Sequence, residues 1–123
     1  MNRSMGKSQP VNIDPKTFGG TQAAILLAGD INKYGDAFLL KRLSRLFNSY
    51  SDGLEAIIRI PGGTRQLVLR MWYQKYLHAL NTNFGKEFAE RGMNIDIARN
   101  VVSGRWKKAI RDGDILEKLD YHK

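Results

Sequence analysis

Apolar side chains along most of this chain recur at intervals of three and four residues, a spacing that gathers them on one side of a helix and that a strand has no use for. The clearest case runs from Asp36 to Asn48, where Phe38, Leu39, Leu40, Leu43, Leu46 and Phe47 form one face and Lys41, Arg42 and Arg45 the other, with Asp36 placed to cap the start. Leu69, Tyr73, Tyr76, Leu77 and Leu80 repeat the pattern and predict a central buried helix over 64–82. Shorter helices are expected on either side. One starts behind Thr21, carries Ala23 to Leu27 and ends at Gly29, and another is capped by Asp52 and Glu55 ahead of Pro61-Gly62-Gly63. The isoleucines and valine of 55–71 leave a β-hairpin around that turn as the alternative there.

Together these segments predict a mainly α domain, a compact bundle of about five helices over 18–123. Residues 1–17 hold Pro10 and Pro15 and no apolar period, and are expected to form a basic arm. At 123 residues, with 42% hydrophobic and 26% charged, the chain can build one core and not two. It contains no cysteine, which excludes disulfides, thiolate chemistry and cysteine-based zinc sites. No apolar run reaches the roughly 20 residues that span a bilayer, so no membrane span is expected and the expected location is the cytoplasm.

Charge supplies the functional signal. The net charge is +8, and the excess is concentrated. Residues 64–111 hold ten basic and three acidic side chains, whereas 112–123 hold four acids and two lysines, an acidic end able to dock on the basic block. Within the basic block, Phe84 to Arg91 reads as a short helix, Gly92 as a left-handed turn, and Asn94 as the cap of a second helix through Ile95, Ala98, Val101 and Val102. The stretch Phe88-Ala89-Glu90-Arg91-Gly92-Met93-Asn94-Ile95-Asp96-Ile97-Ala98-Arg99 resembles a helix-turn-helix over about twenty residues, departing from that pattern at charged Arg91 and in the displaced small residue of the first helix.

That resemblance implies base-edge contacts from Asn94, Asp96, Arg99 and Asn100, near the start of the second helix. Independently of it, Arg99, Ser103, Lys107 and Arg111 recur every four residues and would line one face, with Arg105 and Lys108 beside them and Lys107, Lys108 and Arg111 gripping phosphates. Ala98, Val102, Trp106 and Ala109 would turn inward. Neutralising about six phosphates predicts a log–log salt slope near −5.

Enzymatic chemistry finds little support. His78 and His122 are the only histidines, Met5-Gly6-Lys7-Ser8 lacks the first glycine of a phosphate loop, and Asp30, Asp36 and Asp52 sit where helix starts explain them. The amides opening the helix after Pro61 are an expected anion site that ordinary turn chemistry also explains. The sequence therefore points to a noncatalytic nucleic-acid-binding protein without a cofactor or metal, with DNA favoured over RNA. An interaction module or inhibitor docking on an acidic protein is the alternative. A homodimer built on the aromatic-rich central helix is compatible with either.

Overall fold

The computed structural model describes residues 37–121 continuously and, before them, residues 25–27, 29, 31 and 33. The arm over 1–17 and the caps assigned to Thr21 and Asp36 lie outside the described residues. Three long helices make up the described part: α1 (Ala37–Ile57), α2 (Gly62–Glu90) and α3 (Ile95–Tyr121). The described residues between 25 and 33 are helical too, and among them Leu27 and Ile31, one turn apart, are fully buried.

Helices that the sequence separates are continuous here. In α1 the expected break near Asn48 does not occur, because Phe47, Tyr50, Leu54 and Ile57 extend the buried stripe begun by Leu39 and Leu43. Asp52 and Glu55 stand exposed on the outer side instead of capping a new helix. Likewise α2 absorbs both the central helix and the short one after it, since Phe84 and Phe88 continue the line of Leu69, Tyr76 and Leu80. Gly29 does not end the first segment, for Gly29, Ile31 and Lys33 are themselves helical. Burying a further apolar side chain is worth about 1.5–3 kcal/mol, more than the roughly 1 kcal/mol that a glycine or a weak helix former costs. The described residues contain no strand, and 55–71 is α1, a four-residue connection and α2, so the hairpin alternative falls.

Side-chain pairs fix the topology. Arg42 reaches Glu87, Ser49 Oγ lies 2.7 Å from Tyr76 Oη, and Trp72 Nε1 donates to the Tyr50 carbonyl at 3.0 Å, so α1 and α2 run antiparallel. Arg65 meets Asp114 and Glu117, Tyr73 stacks on Trp106, and Asn81 accepts from Arg99, so α2 and α3 are antiparallel along their whole length. Tyr50 Oη donates to the Val102 carbonyl at 2.9 Å. The result is an up-down-up bundle around one core of Leu, Ile, Val, Phe and Tyr side chains.

The turn between α2 and α3 forms as its residues suggest, but in a different setting. Gly92 takes a φ of +69°, and the amides of Gly92 and Met93 donate to the carbonyls of Ala89 and Phe88 at 3.1 and 2.8 Å, satisfying the helix end. Met93, just after the turn, is buried. Asn94 Oδ1 accepts from the Asp96 amide at 2.9 Å and caps α3 as expected. The helix ahead of the turn is 29 residues long and stays alongside its successor, unlike the short pair crossing at about 90–120° that defines a helix-turn-helix. The local outline is correct and the tertiary arrangement is a helical hairpin.

Candidate nucleic-acid interface

α3 continues through Ser103 and Gly104, so the every-fourth-residue pattern does lie on a rigid scaffold. Ala98, Val101, Val102 and Ala109 are buried, and Trp106 is half-buried, its ring stacked on Tyr73 at 4.6 Å and 9°. Trp106 Nε1 is buried without a partner.

The candidate side chains separate into two groups. Arg99 is held by neighbours: its Nε and Nη2 donate to Asn81 Oδ1 at 3.0 and 2.8 Å, and Nη1 pairs with Asp96. Asn94 is committed to its capping bond. Lys108 pairs with Asp112 at 2.6 Å, one turn on. Arg105 turns inward between α1 and α3, where it donates to Ser51 Oγ, leaves Nε buried without a partner, and is pulled below the ordinary guanidinium value by burial, with the Tyr50 phenol opposing. Burial also raises the Tyr50 phenol, Tyr73 adding to the effect and Arg105 opposing it. Ser103 is half-buried. Asn100, Lys107 and Arg111 alone of the set are exposed and have no polar partner among the described residues.

The acidic end does dock on the basic block. Arg65, only 3% exposed, donates to Asp114 at 2.9 Å, to Glu117 at 3.0 Å and to the Ile60 carbonyl at 3.3 Å. Glu117 also accepts from the Gly62 amide at 2.9 Å. The free amides that open α2 therefore do receive an anion, and it is the chain's own carboxylate. Gly62 donation first, then the Arg65 hydrogen bond and charge, hold Glu117 below the usual carboxylate range.

These pairs dispose of most nearby acid and leave cations over. Asp52, Glu55 and Glu90 carry no ion pair among the described residues. On α1 Lys41 and Arg45, on α2 Arg70 and Lys86, and on α3 Lys107, Arg111 and Lys118 are exposed with no carboxylate partner there. Lys118 sits seven residues beyond Arg111, two turns along the same stripe. Arg70 is exposed three turns before Asn81 on α2, and the antiparallel register puts it at the height of Ala109 along the bundle, between the levels of Lys107 and Arg111.

Sequence reasoning missed both of these residues. Lys118 was legible from spacing once α3 is carried to its end; Arg70 required the pairing of α2 with α3. No group of three or more His, Asp or Glu side chains among the described residues is placed to hold a metal, and no helix there is long and apolar enough to cross a membrane. Comparison of the chain with family models, with curated proteins and with solved structures gave no match.

Proposed function

We propose that this protein is a noncatalytic nucleic-acid-binding protein, with Arg70, Lys107, Arg111 and Lys118 as the phosphate-contacting set. One observation carries the reading. Along α3 from Arg99 to Lys118, every charge left without an opposite partner is a cation, because Asp96, Asp112, Asp114 and Glu117 are each taken up internally. A rigid helix holding such charges in line neutralises several phosphates at once and releases their counterions. DNA is favoured over RNA, as an accessory or regulatory factor.

Four contacts, fewer than the six expected from spacing alone, give a log–log salt slope of about −3.6 on duplex DNA. Fluorescence anisotropy against labelled duplex at several salt concentrations measures it. Lys107→Ala and Arg111→Ala should each flatten the slope by about 0.9, and Arg99→Ala, already bound to Asp96 and Asn81, should leave it unchanged. A salt-independent signal, or equal effects from all three variants, overturns the assignment.

A specific observation favours a second reading, docking on an acidic protein. Leu67 and Met71, one turn apart on the outer side of α2 and flanking Arg70, are 60% and 62% exposed. Under that reading a captured partner survives nuclease treatment and is lost on Leu67→Ser/Met71→Ser.

A further inference from the structure

Two kinds of nucleic-acid contact carry sequence or strand information, hydrogen bonds to base edges and aromatic stacking on unpaired bases. Both sets of side chains are present on and beside α3, and among the described residues there the fold has given most of them partners. At the start of α3, where a recognition helix presents its readers, Asn94 Oδ1 holds the Asp96 amide. The Arg99 fork, the commonest reader of guanine, is closed on Asn81 and Asp96. Asn100 is the one side chain of that set left exposed and unengaged.

The aromatics near the cationic stripe are similarly committed. Trp106 lies flat against Tyr73, and Trp72 packs on Tyr76 with its Nε1 donating to the Tyr50 carbonyl and Lys75 over its ring. Asn100 apart, the exposed polar side chains of α3 left without a partner among the described residues are the cations Lys107, Arg111 and Lys118.

We infer that the phosphate-binding face takes a double helix by its backbone, without reading base sequence and without a preference for single strands. This rests on the nucleic-acid reading above and names its ligand class. Along α3, Lys107 and Arg111 are separated by about 6 Å of rise and Arg111 and Lys118 by about 10.5 Å, a rigid array over roughly 16 Å. A duplex presents one phosphate per 1.7 Å or so of its axis in a stiff lattice, so a rigid array can meet several together. A flexible strand has sparser charge and, with the neighbouring rings engaged, gains no stacking to offset it.

The test uses the full chain and anisotropy titrations at 50 and 200 mM salt against three probes: two 25-base-pair DNA duplexes of unrelated sequence and one single strand of equal length. The expected result is two duplex affinities within about threefold, a weaker single strand, and a duplex slope near −3.6 against about −2.8 for the strand. Asn100→Ala should alter neither comparison. If one duplex binds a hundredfold tighter than the other, or the strand binds tighter than both, while Lys107→Ala and Arg111→Ala still flatten the slope, the inference fails and the nucleic-acid reading stands. Binding to none of the probes overturns both. Circular dichroism of each variant separates lost contacts from lost folding.

Discussion

Individual residues in this bundle carry opposite meanings depending on what faces them, and glycine shows it best. A Cβ built on Gly53 would lie 2.3 Å from the Trp72 ring, so α1 and α2 approach there only because position 53 has no side chain. Gly104 meets nothing within 4 Å. Gly53→Ala should therefore lose about 1–3 kcal/mol through overpacking, and Gly104→Ala should gain about 0.5–1 kcal/mol through helix propensity. Chemical denaturation of the two variants reads both signs, and the same sign for both would contradict the packing described. Tyr50 is a second such residue, fully buried with its hydroxyl on the Val102 carbonyl. Tyr50→Phe should cost roughly 1 kcal/mol in the same assay, the usual net value of a buried hydrogen bond.

At the scale of elements, the start of α2 and the end of α3 are joined by charge. Pro61 is the residue before α2 and supplies no side-chain cap, and the Glu117 carboxylate, more than fifty residues away in sequence, takes the Gly62 amide and one arm of Arg65 instead. Because Glu117 titrates below its ordinary value when folded, its contribution to stability is complete above the unfolded value of about 4.3 and is lost as pH falls through the depressed one. Glu117→Gln should consequently lower Tm at pH 7, and its deficit against the parent should shrink below about pH 4. A deficit that stays constant down to pH 2 would mean the carboxylate charge contributes nothing. Arg65→Met addresses the same junction from the other side: it removes the buried cation and leaves Asp114 and Glu117, both half-exposed, to water.

Across the described part of the molecule, the three long helices share one core, and the two tryptophans sit at two of its three seams. Trp72 lies between α1 and α2, Trp106 between α2 and α3. Unfolding followed by tryptophan fluorescence and by far-ultraviolet circular dichroism should give superimposable transitions. Separated midpoints would show that one pair of helices persists without the third.

The sequence by itself settled the helical class, the exclusion of cysteine chemistry, the left-handed Gly92 turn, the Asn94 cap and, in the inward set of Ala98, Val102, Trp106 and Ala109, all but Trp106, which is only half-buried, since each depends on spacing or on a residue's own backbone preferences. Helix ends were read less well. Local signals at Gly29 and Asp52, and the gap read between residue 82 and Phe84, suggest breaks worth about 1 kcal/mol, and they were overridden by apolar burial that appears only when the helices pack. Tertiary structure decided the rest of which cations face solvent unpaired. Lys108 is taken by Asp112 one turn on in the same helix, a pair the spacing already allows, whereas Arg99 and Arg105 look equivalent to Lys107 and Arg111 in the sequence, yet Asn81 and Ser51 engage the first two and leave the other two free. Charge counts are additive along a chain, but pairing depends on distance in three dimensions, and only the bundle brings residue 65 to 117 and residue 81 to 99.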